Sequence, residues 1–561
     1  MFVYGTTEPL GQVVLEDKGF FLVFSSNHDD PTSPVSLTVY PPGSTPPSFG
    51  KKEGVAEIVG CVGVLRLKGL NYLIVVQEPV ESVGLQDAEV REIERVLFYN
   101  LEWHHLPTAQ TRAHPCFHIC RVLESGSFYF SKSFDLTTRL VERLKQQQQR
   151  DDACEPKSRS DSTPPTATAS PDVHGTPEFV WNTFLLQPLQ RFRAMLDPTE
   201  QAWFDARFFI LPVVQGYYGA REVPLGEEKV MLSVVSRRGW RRAGTRFKKR
   251  GIDLQGNVGN FAETETILQT AKNVVSFVQV RGSVPLEWKE ELHLTGPVAL
   301  FLAEPMATVS LPPFLLHIHA LLASYTSIHI LSLLSDAKTG PLAAEAQLGD
   351  AYEQLCSLAQ ARDPQIKEHL VYEEFSIRKE EMFSGGLVRI PKEIADDVEA
   401  VLEDFGATVA SVDAQTGKLH LEAEQKGAFR VNCRDCLDRS NLGEFSLSGQ
   451  ALEKEMDKLG LPSFRGSQVE QKHGELWAAN GDALSQIYAG SPAMNSLFIQ
   501  TGIVTRMQEI DNVRNSEKRK VQAEFCDAAK NRATEILTGQ WRKQEPQPVL
   551  VRVDPTGKVV T

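Results

Sequence analysis

The sequence predicts an α/β catalytic domain with a Cys-x5-Arg phosphate-binding loop, preceded by a β-rich N-terminal subdomain. Three observations carry this. Short apolar or alternating runs punctuated by turn clusters fill the first 145 residues. Apolar runs then alternate with helix-period stretches from about Phe179 onward. Within that second part, Gly427 to Asn441 reads as strand, short loop and helix start, with a cysteine opening the loop and an arginine closing it.

The elements follow in chain order. Gly19–Phe24, Gly60–Leu67, Tyr72–Val76 and Ser127–Phe130 read as strands, with the turn cluster PPGSTPPSFG between the first two. Helices are expected around Glu89–Asn100 and Asp135–Gln148. From Gln146 to Pro177 the chain is polar and Pro-rich and cannot bury enough surface to offset its ordering entropy, which predicts a linker over 146–178. Beyond it, Phe208–Val214, Val230–Val235, Ser276–Val280 and Val298–Leu302 read as buried strands. Thr264–Asn273, Lys392–Glu403 and Asn441–Leu459 read as helices, and the chain stays helical to Leu537. The expected domains are thus 1–145, linker 146–178, catalytic 179–539 and a tail 540–561. Leu311–Leu334 is the most apolar stretch, but two prolines and His317, His319 and His329 argue for a buried helix and strand rather than a membrane span.

Composition bounds the function. Of 561 residues, 42% are hydrophobic and 23% charged, which excludes a disordered or fibrous chain. A net charge of −13 argues against general nucleic-acid binding. Eight cysteines at irregular spacing suggest no disulfide framework, and the first residues lack a basic, apolar leader pattern. A cytoplasmic protein is expected.

The loop carries the chemistry. Backbone N–H groups and the positive end of the following helix converge on one spot, which suits a phosphate dianion. There Cys433 would be the nucleophile, its thiolate stabilised by the helix end and by Arg439. Arg439 would clamp two phosphate oxygens with its planar fork. Ser440 would hydrogen-bond the sulfur, and either Asp435 or Asp438 would protonate the leaving alkoxide, Asp435 being preferred. Such chemistry needs neither metal nor cofactor, so none is expected.

The full string, with Arg430, Asn432, Cys433, Asp435, Cys436, Leu437, Asp438, Arg439 and Asn441, resembles the signature of Sac-domain phosphoinositide phosphatases, the suppressor-of-actin and synaptojanin-like proteins. SRRGWRRAGTRFKKRGIDLQGNVGNFAETE at 236–265, SFVQVRGSVPLEW at 276–288, FVWN at 179–182, ILPVVQGY at 210–217 and LWAANGDALSQIYAG at 476–490 are similar to further blocks of that family, in family order. The resemblance implies a phosphatase for phosphatidylinositol phosphates, with preference for a 4- or 3-phosphate. It also implies work at a cytosolic membrane face, attached peripherally or through an adaptor protein. Two departures stand out. Arg434 replaces the usual apolar residue, and FIQTGIV at 498–504 lacks the family's basic run. The resemblance leaves open a catalytically weak lipid-binding scaffold, or a cysteine phosphatase for soluble inositol phosphates or phosphoproteins.

Arg237 to Arg250 holds eight Lys or Arg and no acid. Arg242, Arg246, Lys248, Lys249 and Arg250 from this block, with Arg281 and the loop residues Arg434, Cys436, Leu437, Asp438 and Asn441, form the expected substrate-binding set. The block would also meet an anionic membrane surface. Cys433 and Cys436 form a C-x-x-C pair, which admits regulatory oxidation. His114, Cys116, His118 and Cys120 would share one face of a strand, where packing is expected rather than metal.

Overall fold

The computed structural model describes the chain apart from residues 8–9, 27–31, 45–48, 50, 79–89, 103–106, 155–177, 292–298, 338, 340–341, 377–384 and 561. Two compact units make it up, the first from Met1–Thr137, Ser160–Gln215 and Arg532–Thr561, the second from Thr138–Arg159 and Gly216–Asn531.

The first unit is built on strands β1 (Phe2–Thr7), β2 (Leu10–Asp17), β3 (Phe20–Ser25), β4 (Val35–Tyr40), β5 (Lys52–Leu67), β6 (Leu70–Gln77), β7 (Val90–Glu92), β8 (Val96–Asn100) and β9 (Phe128–Ser131). Antiparallel pairing gives the order β4-β3-β2-β1-β5-β6-β8, while β7 pairs β9. Alternate residues such as Phe20, Leu22 and Phe24 of β3 turn inward and pack under the helices Thr183–Ala194 and Pro198–Ala206 through Leu186, Leu189, Phe192 and Phe204. Gly63 has φ +144°, and a Cβ there would lie 2.4 Å from the Leu185 carbonyl oxygen, so a glycine lets the first helix sit against β5.

The second unit holds β10 (Val214–Leu225), β11 (Glu228–Arg238), β12 (Ala262–Gln269), β13 (Asn273–Arg281), β14 (Trp288–Glu291), β15 (Ala299–Leu302), β16 (Ile328–Ser332), β17 (Leu370–Glu374), β18 (Thr408–Val412), β19 (Leu419–Ala423) and β20 (Ala428–Asn432). Its main sheet runs β17-β16-β20-β13-β12-β11-β10. β16, β17, β20 and β13 pair in parallel, and β10 to β13 form an antiparallel meander. Helices cover both faces of the parallel part, so β16 and β20 are buried along their whole length, including the polar residues His329, Arg430 and Asn432. Phe429 and Val431 face the helices Asp438–Lys458 and Gln468–Ala489, through Leu447, Leu452 and Trp477. Ala428 and Ile330 face the helices Leu311–Tyr325 and Ala343–Arg362, through Phe314, Ile318 and Tyr352. β20 thus lies mid-sheet between two parallel neighbours, and its C-terminal end opens at the strand edge where α/β sheets place their sites.

Several expectations need correction. Val90–Asn100 holds β7 and β8, not a helix, because its Val, Phe and Tyr pack in pairs across β6 and β9. Thr264–Asn273 lies in β12 and the start of β13; its helical period is overridden by two-sided pairing with β11 and β13. Of Phe208–Val214 only Val214 enters a strand, and Asp135–Gln148 begins its helix later, at Leu140. That helix, Leu140–Cys154, takes the first residues assigned to the linker, whose remainder to 177 lies outside the described residues. His114–Cys120 turns into the helix Phe117–Leu123, so its His and Cys side chains do not share a strand face. Residues 179–215 belong to the first unit rather than the second. The tail also belongs there: Leu550–Val553 forms β21, parallel to β4 at the end of the first sheet.

Candidate functional site

The segment Cys433–Leu437 joins β20 to the helix Asp438–Lys458. Arg430 braces the strand below it. Its buried guanidinium donates to His317 Nε2 (3.2 Å), Tyr352 Oη (3.1 Å) and the Ser283 carbonyl (2.9 Å). His317 accepts as a neutral ring, its pKa held well below the usual value by burial and by the Arg430 charge. The histidines read as interior or edge residues therefore have partners, His329 lying 2.7 Å from Glu373 and His319 2.9 Å from Asp363.

Within the loop, Cys433 is buried at 3% exposure and Cys436 completely. Cys436 sits at φ +52°, the left-handed region, and its thiol donates to the Gly282 carbonyl at 2.8 Å. Burial, followed by the Cys433 side chain, pushes the Cys436 thiol up to about 12, so it stays protonated. Leu437 precedes the helix without a side-chain cap and packs against Tyr488 and Ala489. The helix end thus keeps its orphan N–H groups directed toward the loop. Ser440 is fully buried, and its Oγ meets no hydrogen-bond partner among the described residues.

Five arginines and four carboxylates surround this loop. Arg250 Nη2 lies 2.6 Å from Asp435 and 2.8 Å from Glu290, and its Nη1 donates to the Arg434 carbonyl at 2.9 Å. Arg246 lies 3.4 Å from Asp435, and the Arg434 side chain pairs with Glu290 at 2.5 Å. Burial would raise the Asp435 pKa, but Arg246, Arg250, Arg434 and Arg519 outweigh it and hold the carboxyl well below its usual range. Asp438 is gripped through both oxygens by Arg519, at 2.7 and 2.8 Å, and accepts the Met494 N–H at 2.6 Å. Arg439 donates to the Leu333 carbonyl at 2.8 Å and pairs with the buried Glu345.

The expected site residues divide into three groups. Arg246, Arg250, Arg434, Asp435, Arg439 and Ser440 gather at the loop with Cys433. Arg242 stands one step back, donating to the Arg250 carbonyl at 2.6 Å, while Lys248 is exposed and Lys249 partly so. Arg281 and Asn441, expected as substrate contacts, lie inside the fold. Both are about 1% exposed, and Arg281 spans Glu444 and Asn441, at 3.0 Å from the latter, to fix the loop helix to β13. Arg237 and Arg238, at the head of the basic block, are also core residues; Arg237 pairs with Glu263 and Glu265 at 3.0 and 2.6 Å. Sequence reasoning missed Glu290, Glu345 and Arg519. Glu290 lies two residues beyond a recognised block, within reach of inspection. Glu345 and Arg519 come from distant helices with no local signal.

A family model described as the SacI homology domain matches residues 59–382. The chain belongs to this family of proteins. Among curated relatives, it is 30% identical to inositol-1,4,5-trisphosphate 5-phosphatase 1 of Schizosaccharomyces pombe, over 95% of this chain and 48% of that protein. It is 31% identical to polyphosphatidylinositol phosphatase INP53 of Saccharomyces cerevisiae, over 76% of this chain and 36% of that protein. It is 28% identical to phosphatidylinositol-3-phosphatase SAC1 of the same yeast, over 87% and 73%. The chain thus spans about half or less of the length of the first two. No helix among the described residues is long and apolar enough to cross a membrane.

Proposed function

We propose that this chain is a phosphoinositide phosphatase that hydrolyses a 4- or 3-phosphate of a phosphatidylinositol phosphate through a cysteinyl-phosphate on Cys433. The observation that carries the reading is the convergence of Cys433, an uncapped helix N-terminus and the Arg246–Arg250–Arg434 ring on one loop at the end of a central parallel strand. The relatives' names support the substrate class. The family match ends before Cys433, so the loop's role rests on its geometry.

In the proposed cycle the Cys433 thiolate attacks phosphorus, the P–O bond to the inositol breaks, and the alkoxide takes a proton from Asp435. Water then attacks the cysteinyl-phosphate, Asp435 takes its proton, and the S–P bond breaks to return the thiolate and release inorganic phosphate. Asp435 is preferred to Asp438 because its side chain is 22% exposed, whereas Asp438 is immobilised by Arg519. Asp435 is ionised in the unliganded loop. A bound phosphate dianion would draw Arg246 and Arg250 to itself and add negative charge beside the carboxyl, both of which favour its protonated form. Arg439 must exchange Glu345 for phosphate oxygens in the same step. The arginines and loop amides carry the charge, so the reaction is expected to proceed without metal. Attachment to the membrane is peripheral or through an adaptor protein.

Engagement of Arg439 by Glu345 and the Leu333 carbonyl favours a second reading, a lipid-binding scaffold of low activity. Phosphate release from a panel of phosphoinositides in liposomes, with EDTA, separates the two. Release by wild type and not by Cys433→Ser is the expected result. Liposome binding without release from any lipid would select the scaffold, and equal turnover of free headgroup would select a soluble-substrate phosphatase.

A further inference from the structure

Beside the arginine ring lies a cleft of about 580 Å³ whose lining includes Arg242, Leu254, Trp288, Lys289 and Phe301. It adjoins the loop directly: Trp288 stacks beneath the Arg250 guanidinium at 5.1 Å, and Glu290, two residues along β14, holds Arg434. Its rim is unusual for a polar surface. Leu254 is 73% exposed and Phe301 45%, and Leu316 on the helix beside the Leu254 turn is 53% exposed. Leu254 is held outward rather than left loose. Asp253 accepts hydrogen bonds from the N–H groups of Gln255 and Asn257, and an Ile252–Val258 bridge closes the turn. Gly256 of that turn rests on the helix Leu311–Tyr325, where a Cβ would lie 2.9 Å from Leu316 Cβ, so Leu254 and Leu316 share one edge.

We propose that this edge inserts into an anionic bilayer, and that the cleft behind it receives the glycerol and proximal acyl part of the lipid whose headgroup reaches the loop. The proposal rests on the phosphoinositide reading of the same site. Charge selects the occupant. The apolar tips are set among cations, with Lys289 stacked 5.7 Å over Phe301, Arg242 in the cleft wall, and exposed Arg241 and Lys248 following on the basic segment. Apolar points among Lys and Arg match an acyl boundary beneath anionic headgroups. A protein groove would more often leave the apolar area flat and remove charge from its centre. The acids Asp253 and Glu287 also line the cleft, but Asp253 is occupied within its turn.

The test compares wild type with Leu254→Ser, Phe301→Ser and their combination with Leu316→Ser. All three sites are exposed, so the fold should survive, and circular dichroism checks this. Binding is measured to phosphatidylcholine vesicles with and without phosphatidylserine and free of phosphoinositide, so this readout stands even if no phosphatase activity is found. Each substitution should weaken binding about tenfold, as expected for withdrawing one apolar side chain from an acyl phase. Turnover of the free inositol phosphate headgroup, which lacks the glycerol and acyl part, should stay within about twofold of whatever wild type shows, while vesicle turnover falls in step with binding. Unchanged vesicle binding by the triple variant would overturn the proposal. So would loss of a concentration-dependent dimer in the triple variant with vesicle binding intact, which would assign the edge to a second copy.

Discussion

Replacing Arg250 tests whether the loop is held as a charge network. Its guanidinium serves three acceptors, Asp435, Glu290 and the Arg434 carbonyl, and lies between the Phe247 and Trp288 rings at 5.1 Å from each. Removing one member of a fully buried ion pair typically costs about 3–5 kcal/mol. Two features reduce that figure here. Asp435 is 22% exposed and can recover hydration, and Glu290 keeps Arg434. Arg250→Ala is therefore expected to destabilise the second unit by roughly 2–4 kcal/mol. In a thermal melt that corresponds to a fall of about 3–6 °C. The loss should be complete above about pH 4 and shrink below it, because the depressed Asp435 carboxyl contributes stability above its ordinary pKa and loses it on protonation. Turnover should fall by about 10- to 100-fold through misplacement of the loop. Arg250→Lys should recover part of the stability but little of the turnover, since one ammonium cannot span three acceptors. An Arg250→Ala protein that melts within about 1 °C of wild type and turns over normally would refute the network.

Arg439→Lys should lower kcat by two or more orders of magnitude while binding to vesicles persists, because only the planar fork can clamp two oxygens; near-normal rates in the phosphate-release assay would contradict the clamp. His473 is buried against Phe445 and Phe464 and lies 2.6 Å from Ser448 Oγ, and burial, then Arg465, lowers its pKa to about 3. The unfolded chain takes up this proton near 6.5 and the native state does not. Stability is therefore full above that pH and falls on acidification, by roughly 2 kcal/mol at pH 5. Urea titrations of His473→Gln should show a shallower decline between pH 7 and 5. Gly481→Ala places a Cβ 2.5 Å from Asn441 Nδ2, so it should cost about 1–3 kcal/mol in the same titrations and disturb the first turn after the loop.

The loop itself was legible because strand, loop and helix are contiguous, and because Cys433 and Arg439 lie close along the chain. The basic block was legible as charge, but its division was not. Arg237 and Arg250 look alike in sequence, yet one is paired with Glu263 and Glu265 inside the sheet and the other braces the loop. Arg434 stood out in sequence as a charge in place of the usual apolar residue; Glu290, 144 residues earlier in the chain, pairs with it. Arg519 reaches Asp438 from a later helix, 81 residues on. Such pairings depend on which helix packs where, and no local pattern records that. The helix expected over Thr264–Asn273 failed for the same reason: Thr264, Thr266 and Leu268 suit a pleated surface once β11 and β13 flank them.

The parallel pairing of Leu550 with Val35 has a consequence for synthesis. The edge of the first sheet is completed only when Leu550–Val553 leaves the ribosome, after the whole second unit has been made. The entropy of joining such distant partners grows only logarithmically with their separation, so the finished protein loses little by the arrangement. During translation, however, β4 waits with an open row of backbone groups, the template on which stray strands dock. Chaperone capture of the nascent chain should therefore persist until Leu550–Val553 emerges, and release should be delayed in chains stalled before Leu550.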